Sequence, residues 1–136
     1  MKVLLQTVKS ASVEILGKTV GQISHGYLLL VGFSSEDNKE IVDRMIDKIL
    51  NLRVFADDKR QINLSIYDVD GNILSVSQFT LYANTKGGRR PSFIDAMRPH
   101  EAEELYDYFN EELAHKYNKP ISRMGRKRLF SERQAV

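Results

Sequence analysis

Hydrophobic and polar positions alternate strongly enough along the chain to outline most of its elements. Lys2–Lys9 alternates as a strand. Ser12–Leu16 and Thr19–Ile23 flank Gly17-Lys18, the pattern of a hairpin. Tyr27–Phe33 is continuously apolar, which predicts a strand buried on both faces. Ser34-Ser35-Glu36-Asp37 places hydroxyl caps before acids, the signature of a helix start. Behind it, Ile41, Met45 and Ile49 with Val42, Ile46 and Leu50 recur at helical spacing. Arg53–Ala56 reads as a short strand, and Asp57-Asp58-Lys59 and Asp70-Gly71 as turns. Ile73–Tyr82 reads as one long strand and Ala83–Arg90 as a loop. Pro99 precedes a second helix over His100–Tyr117, with Ala102, Leu105, Tyr106, Phe109 and Leu113 on one face, closed by Asn118-Lys119-Pro120. Several strands with two helices predict an α+β fold, a mostly antiparallel sheet packed on helices.

The chain has 136 residues, enough for one domain with its own core. Its 42% hydrophobic and 28% charged content argues against disorder and low complexity. No apolar run approaches the roughly 18 residues needed to cross a bilayer, and the N-terminal apolar stretch is too short for a signal-peptide core. A soluble cytoplasmic domain with no membrane partner is the expectation. There is no cysteine, which removes disulfides, a thiol nucleophile, iron–sulfur ligation and cysteine zinc sites. The net charge of +2 is unevenly spread. Residues 1–120 carry fifteen Lys and Arg against seventeen acids, and residues 121–136 carry five against one. Bulk charge is therefore no argument for nucleic acid.

Two places carry candidate chemistry. In Ile73–Tyr82, Ser77, Gln78 and Thr80 stand among large apolar neighbours. Strand alternation puts Ser77 and Phe79 on one face and Gln78 and Thr80 on the other. Buried polar groups need partners, either other protein groups or a ligand. Lys86, Arg89 and Arg90 flank Gly87-Gly88, which reads either as a solvated loop or as a phosphate contact. The rest is silent. His25, His100 and His115 have no metal-ligand spacing, so no metal or cofactor is expected. Asp68-x-Asp70-Gly71 lacks the spacing and closing Glu of a calcium loop and reads as a turn. Glu103, Glu104, Glu111 and Glu112 read as a solvated helix face.

A colinear series of motifs adds a resemblance. It runs through Gln6-x-Val8-x-x-Ala11-Ser12-Val13, Gly26-x-Leu28-x-Leu30-Val31-Gly32, Lys48-Ile49-x-Asn51-Leu52-Arg53-Val54-Phe55 and Asn63-Leu64-Ser65. It continues with Ser77-Gln78-Phe79-Thr80-Leu81-Tyr82-Ala83, Lys86-Gly87-Gly88-Arg89-Arg90-Pro91-Ser92-Phe93, Arg98-Pro99 and Ala102-Glu103-x-Leu105-Tyr106. Over residues 1–118 the chain resembles the D-aminoacyl-tRNA deacylase (D-tyrosyl-tRNA(Tyr) deacylase) family. The resemblance implies a β-barrel-like α+β fold and a homodimer with active sites at its interface. It implies hydrolysis of the ester between a D-amino acid, or mischarged glycine, and the 3′ end of tRNA, with L-aminoacyl-tRNA spared. Ser77, Gln78, Phe79 and Thr80 would bind the aminoacyl end. The backbone amides of Phe79 and Thr80 would stabilise the oxyanion, with Ser77 and Thr80 in the catalytic set. Lys86, Arg89 and Arg90 would meet tRNA phosphates.

Two positions depart from the family pattern. Its C-terminal Gly-Pro motif, a cis peptide that filters chirality, is absent, and Thr7 stands where the family has Arg. Residues 121–136 read as an atypical basic, disordered tail with no strand alternation, either a truncated or frame-altered terminus or that of a divergent member, and lower stability than a relative with the motif is expected. The alternative function is a catalytically impaired or truncated relative acting as a tRNA-binding module.

Overall fold

The computed structural model describes residues 1–123. Eight strands and three helices follow in the order β1 (Lys2–Val8), β2 (Ala11–Ile15), β3 (Lys18–Ile23), β4 (Gly26–Gly32), α1 (Lys39–Asn51), β5 (Phe55–Ala56), β6 (Ile62–Leu64), α2 (Ile66–Val69), β7 (Asn72–Ser77), α3 (Pro99–Tyr117) and β8 (Ser122–Arg123). A single 3-10 turn, Phe79–Tyr82, stands between β7 and α3.

The main sheet has the order β1-β4-β7-β8. β1 and β4 are antiparallel neighbours, with Val3 opposite Val31 and Thr7 opposite Tyr27. β4 and β7 run parallel, with Gly26 opposite Asn72 and Val31 opposite Ser77. β7 and β8 are also parallel. The α+β class stands, but the sheet is mixed rather than mostly antiparallel and, among the described residues, closes no barrel. The crossover through α1, β5, β6 and α2 brings the chain back in the direction of β4, which a hairpin does not do.

Each face of the sheet has its own apolar layer. Tyr27, Leu29 and Val31 of β4 and Ile73 of β7 pack with Val42, Ile46 and Ile49 of α1 and Phe109 and Leu113 of α3. Leu28 and Leu30 of β4 face the other way, onto Leu74 and Val76 of β7 and Ile15 and Ile23 of the β2–β3 hairpin. The continuous apolar run of β4 follows from its cover on both faces.

Local chemistry explains the ends of the elements, including those the pattern misplaced. The hairpin turns at Leu16-Gly17, both at positive φ, one residue earlier than expected. Two positive φ values match the right-handed twist of the flanking strands. The first helix begins at Lys39, capped by Asn38 Oδ1, which accepts from Ile41 N at 3.0 Å. The earlier Ser-Ser-Glu-Asp run is not its cap. Asp37 instead takes the Met1 ammonium at 2.6 Å and the Ser34 N–H at 2.7 Å. α2 is closed by a capping box of Ser65 and Asp68, and Asp70 ends it in the left-handed region. These carboxylates have helix-end roles, in keeping with the turn reading.

The expected tail begins as part of the sheet. Ser122–Arg123 forms β8 beside β7, and Arg123 pairs with Asp107 at 2.5 Å with its guanidinium 4.7 Å from the centre of the Tyr106 ring. The remainder of that expectation, residues 124–136, lies outside the described residues. Among the described residues no helix is long and apolar enough to cross a membrane.

Candidate functional site

The candidate site forms where β7 stops. The sequence pattern carries a strand to Tyr82, but β7 ends at Ser77. The Gln78 N–H makes the last bond along β4, to the Val31 carbonyl at 2.7 Å. The chain then tightens into the 3-10 turn Phe79–Tyr82, closed by Ala83 N donating to Thr80 O at 3.0 Å. Groups far away in sequence hold this turn. Gly32 leaves room for it: a Cβ there would sit 2.9 Å from Gln78 O and 3.2 Å from Leu81 Cβ. Lys2 Nζ donates to Leu81 O at 3.2 Å and lies 4.6 Å from the centre of the Tyr82 ring. Burial of Tyr82, and then the charge of Asp37, raises its phenol above the ordinary value.

The turn redistributes the polar side chains. Alternation predicted Gln78 and Thr80 on the face opposite Ser77 and Phe79, but there is no strand beyond Ser77. Ser77 is buried at the end of β7, while Thr80 is exposed. Gln78 Nε2 donates to Thr80 Oγ1, so the two side chains act as a unit. Ser75, also buried, finds its partner inside the protein, in the Tyr106 hydroxyl.

Phe79 turns toward Phe93, ring centres 5.0 Å apart at 58°. Together with Met97, Arg98, Pro99 and Ala102 the two rings line a mainly apolar cleft of about 300 Å³. Its far wall is fixed by Met97 N donating to Phe33 O at 2.9 Å, next to the end of β4. The cleft has a mainly apolar wall, and the polar residues Gln78 and Thr80 flank its Phe79 in the chain.

The basic loop is anchored at its neck. Asn84 and Ser92 exchange backbone hydrogen bonds of 2.8 and 2.7 Å, and Asn84 Oδ1 accepts from Lys86 N at 2.9 Å. Lys86, Arg89 and Arg90 project from it, all exposed, and among the described residues no carboxylate forms an ion pair with them. Gly88, at φ 156°, makes the bend. Ser92 precedes Phe93, so the loop springs from the wall of the cleft.

Other ionisable groups stand elsewhere. His25 Nε2 lies 2.9 Å from Val69 O, and His100 faces Glu104 on the exposed side of α3. Among the described residues no three His, Asp or Glu are grouped to hold a metal ion. Thr7 is exposed on β1, outside the lining of the Phe79 cleft. A larger cavity, about 480 Å³, lies beside α3 and is rich in carboxylates. It contains none of the candidate site residues Ser77, Gln78, Phe79, Thr80, Lys86, Arg89 and Arg90. Lys2 and Gly32 were missed as site residues. Gly32 stood within a quoted motif, but its use depends on a turn 46 residues later.

Comparison with known proteins identifies relatives of the chain. The family model described as D-Tyr-tRNA(Tyr) deacylase matches residues 4–136. A protein of Exiguobacterium sp. named D-aminoacyl-tRNA deacylase is 58% identical over 113 residues, 83% of this chain and 77% of its own length. One of Lactobacillus acidophilus with the same name is 53% identical over 113 residues, 83% of this chain and 78% of its own. The solved c-Myc DNA unwinding element binding protein is 39% identical, with a TM-score of 0.85 over 90% of this chain and 83% of that one. A probable eukaryotic D-amino acid tRNA deacylase, 22% identical, shares the fold with a TM-score of 0.73 over 85% of this chain and 68% of that one.

Proposed function

This chain belongs to the D-Tyr-tRNA(Tyr) deacylase family, and from that premise we propose how its site works. The protein is a hydrolase of D-aminoacyl-tRNA. Water adds to the ester carbonyl and the 3′-terminal ribose oxygen leaves, giving free D-amino acid and tRNA. The binding-module alternative is not favoured, because the curated relatives are named as deacylases.

One observation supports our assignment of the site: the break from β7 into the 3-10 turn joins Gln78 to Thr80 on either side of Phe79, which lines the cleft. The N–H groups that open such a turn point away from its own carbonyls. In our reading the amides of Phe79 and Thr80 meet the ester oxygen as it gains negative charge, which places fixed donors where charge develops. Ser77, at the end of the strand, fixes the level of the turn. Gln78, Phe79 and Thr80 contact the aminoacyl-adenosine.

Thr80 is an orienting group in this reading, not a nucleophile. A threonine nucleophile needs an adjacent base. His25 and His100 are engaged elsewhere, and Gln78 already donates to Thr80 Oγ1. That bond leaves the hydroxyl hydrogen to be donated outward. Water is then the nucleophile, assisted by the terminal ribose hydroxyl. Lys86, Arg89 and Arg90 meet the tRNA backbone. We place the protein in the cytoplasm as a homodimer with the sites at its interface, acting on glycine mischarged on tRNA as well as on D-amino acids, with no cofactor.

Side-by-side hydrolysis of D-tyrosyl-tRNA and L-tyrosyl-tRNA tests the reading. Loss of the D ester is the expected result: with the L ester spared, the chirality filter does not need the absent Gly-Pro motif, and with both esters lost, the filter went with it. Loss of neither overturns it.

A further inference from the structure

Beside the turn Phe79–Tyr82, two cavities share Lys2, Tyr82 and Asp95. The outer one, about 260 Å³, is reached from the basic loop, and its polar lining is Lys2, Tyr82, Asn84, Thr85, Lys86 and Asp95. The inner one, about 330 Å³, continues toward Ser34, Ser35 and Glu36. Lys2 is held in place rather than free to sweep: its ammonium donates to Leu81 O and lies over the Tyr82 ring. An ammonium has three donors. One is spent on Leu81, and among the described residues no carboxylate pairs with Lys2. A positioned cation is thus left at the wall of a cavity.

We propose that the outer cavity is a phosphodiester subsite, in which Lys2 and Lys86 bind the backbone phosphate of the nucleotide preceding the terminal adenosine. The inference rests on the deacylase reading above and extends it to the RNA strand. Charge selects the ligand. Two ammonium groups against the single carboxylate of Asp95 leave a net of one positive charge, which suits a monoanionic phosphodiester better than a dianion. Position selects the strand. Tyr82 is two residues beyond Thr80, about 4 Å along a 3-10 axis. A chain whose last sugar sits at Thr80 therefore passes this cavity before reaching Arg89 and Arg90 on the loop. Lys2 is exposed like the loop arginines, but its ammonium is tied to Leu81 O and the Tyr82 ring, so Lys2 sets the register of the 3′ end.

The test compares two D-tyrosyl esters, one of adenosine, which has no phosphate, and one of the trinucleotide CCA. The quantity read is the ratio of kcat/KM for the CCA ester to that for the adenosine ester. In Lys2→Met and in Lys86→Met the ratio falls about tenfold, as expected when one charge-assisted hydrogen bond to the phosphate is removed. Each change also lowers the slope of log kcat/KM against log salt for the CCA ester by roughly 1. A ratio that stays at the parent value in both variants overturns the proposal. So does an equal loss on both esters in Lys2→Met, which would make Lys2 only a prop for Leu81. If the parent protein hydrolyses neither ester, the deacylase reading fails and the subsite falls with it.

Discussion

The hydroxyl of Tyr106 donates to the Ser75 carbonyl at 2.9 Å and accepts from Ser75 Oγ at 3.2 Å, with both residues buried. Ser75 lies two residues before Ser77, on the same face of β7, so α3 grips the strand just before it breaks. Tyr106→Phe keeps the ring beneath Arg123 but strands the Ser75 hydroxyl. A buried polar group left unpaired costs about 1–3 kcal/mol. The urea midpoint of Tyr106→Phe is expected to fall accordingly, with an unchanged slope. A midpoint equal to the parent's would mean that Ser75 finds another partner.

Thr80 separates orientation from nucleophilic attack. Thr80→Val keeps the shape and removes the hydroxyl that Gln78 engages. The loss of one oriented donor is expected to lower kcat/KM on D-tyrosyl-tRNA at least about tenfold, since about 1.4 kcal/mol is tenfold in rate. Thr80→Ser restores the hydroxyl and is expected to recover most of the activity. The side chain is exposed, so melting temperature should not move in either variant. A covalent threonyl intermediate trapped at Thr80 would sink the orienting role.

What was legible in the sequence was what local pattern decides. The stripe Val42, Ile46, Ile49 and Leu50 gave α1 its buried face, and the unbroken apolar run of β4 announced cover on both sides. What was not legible depended on residues distant in the chain. Ser77-Gln78-Phe79-Thr80-Leu81-Tyr82 has the composition of a strand, and nothing within it marks the end at Ser77. The stop comes from Gly32 and Lys2, which accept and hold a tight turn that only the fold brings to them. The helix start was misplaced for a similar reason. Ser34 to Asp37 looks like a cap, but Asp37 is taken by the Met1 ammonium, so the capping falls to Asn38. The expectation of a mostly antiparallel sheet failed because parallel pairing of β4 with β7 is a property of the crossover, not of either strand. The residues of the candidate site were legible as a motif, yet their strand alternation was not the geometry that joins Gln78 to Thr80.

Gly32 offers a direct test of that tertiary control. A methyl group at this position would meet Gln78 O at 2.9 Å and Leu81 Cβ at 3.2 Å, and the first of these is backbone, which cannot swing aside. Gly32→Ala is therefore expected to displace the 3-10 turn. Overpacking of this kind costs about 1–3 kcal/mol. Activity should fall by more than that loss explains, measured well below the melting transition, because the displaced atoms belong to the site. Full activity in a destabilised Gly32→Ala would show that the turn's position is not critical to the chemistry.

The loop arginines bear on substrate capture. Arg89 and Arg90 are exposed and lie beyond the Asn84–Ser92 neck, so their removal should not disturb the fold. Arg89→Ala with Arg90→Ala is expected to raise KM for D-tyrosyl-tRNA with little change in kcat. The salt slope should fall by roughly 2, one for each phosphate that the loop no longer neutralises. Unchanged KM and slope would remove the tRNA from this loop.

Alkaline pH tests the packing beneath the sheet. The phenols of Tyr27 and Tyr117 are both raised from 10.0 to about 12, first by burial. The charge of Tyr117 adds to the shift of Tyr27, and that of Asp70 to the shift of Tyr117. Tyr27 donates to Ile49 O at 3.2 Å, and Tyr117 shares its one hydrogen between Gly71 O at 2.6 Å and Ile66 O at 3.1 Å, contacts that require the protonated phenol. Below pH 10 folded and unfolded chains both keep these protons, and the contribution to stability is complete. Between pH 10 and about 12 the unfolded chain releases them while the folded chain holds them, so unfolding gains and stability falls as pH rises. Tyr117→Phe loses this shared hydrogen bond and should be less stable at pH 8, but its further decline toward pH 11 should be shallower than the parent's. Urea midpoints at pH 8, 10 and 11 make the comparison. Parallel declines in the two proteins would mean that Tyr117 does not set the alkaline limit.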